Sequence, residues 1–84
     1  MPQTILFFNS SSCGPCKLAK TQLSDAFIQE NDINLISISA ENDFTSFAKW
    51  KVASVPTFIY VKDDTEVKRK VGFKTLQDIK DLLT

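Results

Sequence analysis

Apolar residues fall along this chain in runs whose period changes from one segment to the next. Thr4 to Asn9 is rich in β-branched and aromatic side chains and apolar without alternation, the pattern of a strand covered on both faces. Ser10, Ser11 and Ser12 interrupt it. From Cys13 to about Glu30 the positions Cys16, Ala19, Leu23, Ala26 and Phe27 recur at three- and four-residue spacing, which predicts a helix with one buried stripe. Asn31-Asp32 ends it, and Ile33 to Ser39 predicts a second strand. Glu41 to about Trp50 is a shorter helix with Phe44, Phe47 and Ala48 or Lys51 on one side. Thr57 to Lys62 and Glu66 to Gly72 are two further strands, and the short polar link Asp63-Asp64-Thr65 makes them an antiparallel hairpin. Thr75 to Leu83 closes the chain, with Leu76, Ile79, Leu82 and Leu83 at helical spacing and Thr75 as N-cap.

The order is therefore β-α-β-α-β-β-α. Right-handed crossovers place the helices on both faces of a four-stranded mixed sheet of order 2-1-3-4, an α/β architecture. The 84 residues suffice for one small domain spanning 1–84, with a modest core. Ten basic and ten acidic residues cancel, so no net field draws in a nucleic acid or an acidic membrane. Lys68-Arg69-Lys70 fits a solvated edge strand, where charge discourages strand addition, better than a nucleic-acid contact. No apolar stretch approaches the roughly 20 residues that span a bilayer. Met1 to Thr4 lacks the basic start of a secretory leader, so the chain reads as soluble and cytoplasmic and Asn9-Ser10-Ser11 as plain loop rather than a glycosylation site.

The chain has two cysteines and no histidine, which excludes Ser-His and Cys-His nucleophilic sites and His-containing metal sites. Cys13 and Cys16 flank Gly14-Pro15 where a strand gives way to a helix. Unpaired N–H groups and the positive end of the dipole at a helix start favour a thiolate, the nucleophilic form of cysteine. Pro15 suits a first helical turn, and Gly14 leaves room for another chain's backbone to approach the sulfur. A cross-link over so short a segment adds little as a structural staple. A metal site lacks two of its four ligands unless shared across a dimer, and a pair of inert buried thiols conflicts with a Ser-rich, partly exposed position for Cys13. A redox pair fits best.

Three segments resemble the thioredoxin family: Cys13-Gly14-Pro15-Cys16-Lys17 after a strand, Val55-Pro56-Thr57 before the hairpin, and Val71-Gly72-Phe73 before the last helix. The run from Ala48 to Pro56 resembles the family's approach to its proline. The likeness covers nearly all of the chain but omits the family's usual first strand and helix, as in short phage or microbial members. It implies a thioredoxin-like fold and reduction of protein disulfides. Cys13 would be the attacking thiol and Cys16 the buried resolving thiol, with Gly14, Pro15 and Lys17 shaping the loop and helix start. Pro56 would be cis beside the sulfurs, Val55 and Thr57 would flank it toward substrate, and Gly72 with Phe73 would form the neighbouring floor. The resemblance further implies a monomer that needs no cofactor or metal beyond its own disulfide and is recharged by a thioredoxin reductase.

Departures from the family are expected to change the mechanism. Phe7 stands where the family usually buries an aspartate, Ser37 where its lysine partner lies, and Ser12 where a tryptophan is common. Cys16 would then lose its proton to water or to the departing Cys13 thiolate. Trp50 reads as packing near the sheet end, and Ile33 to Ser39 is left as an open edge that a dimer partner could cover. Two rivals remain. A glutaredoxin-like enzyme using glutathione fits the short layout, although Gly14-Pro15 and Phe73-Lys74 depart from its usual pattern. A non-catalytic binding or accessory subunit would not need its cysteines.

Overall fold

A computed structural model of the chain describes residues 2–84. Its elements run β1 (Gln3–Asn9), α1 (Gly14–Gln22), α2 (Asp25–Glu30), β2 (Ile33–Ser39), α3 (Phe44–Lys49), β3 (Thr57–Lys62), β4 (Thr65–Val71) and α4 (Leu76–Leu82). The strands form one sheet of order β2-β1-β3-β4, as expected, but only the passage from β1 to β2 is a parallel crossover; the passage through α3 joins antiparallel strands, because β3 runs opposite to β1 and β2. β1 pairs parallel with β2, Phe7 opposite Ser37. On its other side β1 pairs antiparallel with β3, Phe7 opposite Phe58, and β3 pairs antiparallel with β4. The hairpin loop is tighter than the sequence pattern suggests. Only Asp63 and Asp64 form it, both at positive φ (54° and 61°), which matches the twist of the flanking strands.

The long helix expected between Cys13 and Glu30 is two helices. Leu23 leaves the helical conformation, and the Ser24 hydroxyl caps a new helix by accepting from the Phe27 N–H at 3.2 Å. Ala26, expected in the buried stripe, turns to solvent as a result. The third helix starts at Phe44 rather than Glu41, because the Asp43 side chain takes the N-cap position and accepts from the Ser46 N–H. That start leaves Phe44 exposed, contrary to its expected place on the buried side.

Alternate residues of the sheet feed two cores. On one face Ile5, Phe7 and Phe58 pack with Cys13, Cys16 and Ala19 of the α1 region, Phe27 of α2, and Ile79 and Leu82 of α4. On the other, Leu6, Phe8, Ile38 and Ile59 pack against Phe47 of α3, with Trp50, Val52 and Val61 at the margin. Trp50 thus packs as expected. Fully burying a phenylalanine is worth about 2–3 kcal/mol relative to leaving it in water, so the buried rings dominate both cores.

The two sheet edges differ. β4 carries Glu66, Lys68, Arg69 and Lys70, whereas β2 carries no charge along its length. Lys68 and Lys70 reach the α4 side: Lys68 donates to the Asp81 and Thr84 carbonyls at 3.1 and 3.3 Å, and Lys70 lies 4.0 Å from Asp78. Arg69 faces the other way, donating to the Trp50 carbonyl at 2.8 Å while paired with Glu66. Val67 and Val71 remain exposed.

Candidate functional site

The parallel pair β1 and β2 ends at one end of the sheet, where antiparallel β3 begins and β4 finishes. Four connections therefore meet there. After β1, the Cys13 N–H closes a turn onto the Ser10 carbonyl at 3.4 Å. Cys13 is the N-cap of α1 with extended backbone (φ −91°, ψ 110°), and its sulfur accepts from the Cys16 N–H at 3.1 Å. Because the N-cap residue is not yet helical, the two Cα atoms approach to 5.2 Å and the sulfurs are joined as a disulfide. Pro15 occupies the first turn, where no intrahelical N–H bond is lost.

Cys16 is fully buried, and Cys13 is only 8% exposed, less than its Ser-rich neighbourhood suggests. The sulfur is turned inward onto the Cys16 N–H and the core. Gly14, Pro15 and Lys17 lie exposed around it. A side chain added at Gly14 would meet nothing within 4 Å, so the approach over the loop is open.

Val55–Pro56 is a cis peptide bond. The Pro56 carbonyl accepts from the Gly72 N–H at 2.8 Å, and the Thr57 hydroxyl donates to the Ser54 carbonyl at 2.8 Å. Gly72 sits at φ +89°, a left-handed conformation that glycine adopts without penalty, and it turns the chain from β4 toward Phe73. Phe73 tilts against Phe58 (centroids 5.9 Å), which stacks on Phe7 (4.7 Å, 9°). These rings belong to the same core as both cysteines, with Val55 packed against it. The structure thus brings Cys13, Cys16, Val55 and Phe73 into one cluster, with Pro56, Thr57 and Gly72 bonded at its margin.

Glu41 ties the loop before Cys13 to the end of β2, a contact absent from the sequence reading. It follows β2, and its carboxylate accepts from the Ser11 N–H (3.2 and 3.3 Å), the Ser11 hydroxyl (3.2 Å) and the Ser39 hydroxyl (2.8 Å). The Ser39 hydroxyl, then the Ser11 N–H, hold this carboxyl below its ordinary range. No motif could announce a contact between residues 30 apart in the chain. Asn9 ends β1 as expected, and its buried amide donates to the Phe7 carbonyl (3.0 Å) and the Ser37 hydroxyl (2.9 Å), satisfying the polar end of the strand. Among the described residues no group of three or more His, Cys, Asp or Glu could hold a metal ion, and no helix is long and apolar enough to cross a membrane. The arrangement can exchange thiols for a disulfide.

A family model described as Thioredoxin matches residues 2–84. Thioredoxin H-type 1 of Nicotiana tabacum is 33% identical over 70 residues, covering 83% of this chain and 56% of that protein. A TPR repeat-containing thioredoxin of Arabidopsis thaliana is 31% identical over 68 residues, 81% of this chain and 18% of that protein. The chain thus spans about half the length of the first of these curated relatives and a smaller part of the second. Among solved structures, thioredoxin NaTrxh from Nicotiana alata superposes with a TM-score of 0.84 at 26% identity, over 98% of this chain and 71% of that one.

Proposed function

The chain belongs to the thioredoxin family, and on that premise we propose that it is a dithiol–disulfide oxidoreductase that reduces protein disulfides. The observation that carries this is the Cys13–Cys16 disulfide at the start of α1, in a core against which Val55 of the cis Val55–Pro56 bond packs. In the reduced protein, the Cys16 N–H that now reaches the Cys13 sulfur would stabilise a Cys13 thiolate. That thiolate attacks one sulfur of the target disulfide, forming a mixed disulfide and releasing the other target sulfur as thiolate. Cys16 gives its proton to water or to the departing target thiolate, not to Cys13, whose sulfur is held in the mixed disulfide; it then attacks the Cys13 sulfur, the Cys13–target bond breaks and the second target thiolate leaves. The target gains two electrons and two protons, and the protein is left in the oxidised form described above.

Lys17 and the open space over Gly14 and Pro15 would admit the target. The backbone of Val55 would pair with an extended target segment, while Thr57, Gly72 and Phe73 hold Pro56 in place beneath it. Exchange of this kind needs no cofactor or metal beyond the cysteine pair. A thioredoxin reductase would recharge the protein, which would act as a monomer in the reducing cytoplasm.

The test is reduction of insulin with two electron sources, thioredoxin reductase with NADPH or glutathione with its reductase. Turnover with the first and its loss in Cys13→Ser are expected. Turnover only with glutathione would point to glutaredoxin-like chemistry. Absence of turnover with both would leave a binding subunit.

A further inference from the structure

Of the seven phenylalanines, six are buried and Phe44 is 71% exposed, the largest exposure of any large apolar side chain among the described residues. Its ring is nonetheless held. It stacks on Phe47 with planes within 3° and centroids 6.1 Å apart, and Phe47 meets Phe8 edge-on at 5.0 Å in the core. A ring fixed in this way loses little freedom on binding, which makes it an effective contact for a partner.

Its place in the fold puts it at the end of the sheet from which the disulfide loop also leaves. The connections that follow β1 and β2 are laced together by the Ala40 N–H on the Asn9 carbonyl (2.9 Å) and by Ser11 on Glu41. Phe44 follows Glu41 by three residues and begins α3 at the same end of the sheet. The cluster beneath it runs from Phe47 to Val55, the residue of the cis bond. We infer that Phe44 is a specificity-determining residue, which receives an apolar side chain flanking the disulfide of a protein target. This rests on the oxidoreductase activity proposed above.

The experiment uses the protein reduced beforehand and freed of reductant, and measures its second-order rates with insulin and with hydroxyethyl disulfide, which is too small to reach Phe44. Phe44→Ala should slow insulin reduction about fivefold or more, leave the small disulfide unchanged within about twofold, and recover in Phe44→Trp. Val67→Ala, an equally apolar change on the exposed edge, should alter neither rate. Equal loss with both disulfides would make Phe44 structural, and an unchanged insulin rate would remove its contact with the target; either result overturns the inference while the activity stands. If the unaltered protein reduces neither disulfide, the activity falls and the inference with it.

Discussion

At the scale of single residues, the environment of Cys16 would decide how the mixed disulfide of the proposed mechanism is resolved. The buried polar side chains among the described residues are Asn9 and Thr57, so no buried carboxylate stands by to take the Cys16 proton. Phe7 fills that place and stacks on Phe58. In the proposed mechanism, resolution would therefore follow the fraction of Cys16 present as thiolate. The step should accelerate about tenfold per pH unit through neutrality, measured by quenching mixed disulfides at intervals; a fast step independent of pH would contradict this. Phe7→Asp should not repair it. Ser37 offers no positive partner opposite, and an unpaired buried carboxylate should lower stability by about 3 kcal/mol or more, read by urea unfolding. The cysteine pair, Pro56 and Gly72 were legible from local motifs. The burial of Cys13 was not, because it depends on where the sulfur turns once the loop is closed.

At the scale of elements, caps explain both the stability of the helices and the errors in reading them. The spacing of Leu23 and Phe27 satisfies one continuous helix as well as two, so apolar periodicity could not reveal the break; Ser24-Asp25 was its only local sign. The last helix was legible because Thr75 sits just before its apolar stripe. Thr75 and Asp78 form a capping box, in which the Asp78 carboxylate accepts from the Lys74 N–H at 2.8 Å and the Thr75 N–H at 3.2 Å. The Lys74 N–H chiefly, then Thr75 and the charges of Lys70 and Lys74, hold this carboxyl below its usual range. Because the folded value lies under the unfolded one, its contribution is whole above about pH 4 and disappears as pH falls through the folded value. Asp78→Asn should therefore cost about 1 kcal/mol at neutral pH and have little effect in strong acid, as urea titrations across the acid range would show. In the hairpin, Asp64→Gly should add about 0.5–1 kcal/mol, since glycine holds positive φ without strain.

At the scale of the whole molecule, the sheet order was legible from the hairpin and the one parallel crossover from β1 to β2, whereas the antiparallel run of β3 beside β1 was not, because the crossover rule does not govern a helical passage between antiparallel strands. Which loops touch was not legible either, since Ser11 and Glu41 meet only after β1 and β2 have paired. The central strands β1 and β3 should exchange their amide hydrogens slowest, and β2, an uncharged edge with Ile36 41% exposed, should be the first to admit a foreign strand. Ile36→Lys should reduce association in concentrated solution without measurable loss of stability, as sedimentation at rising concentration would report. The division of the core into two faces has one more effect. The single tryptophan, Trp50, packs on the α3 face, while the disulfide lies on the opposite face, beneath α1. Indole emission is quenched by a disulfide only at close contact, so this fluorophore is insulated from the redox couple. Its signal should report unfolding alike in the oxidised and reduced proteins, and oxidation state will need a probe of its own, such as thiol alkylation followed by mass.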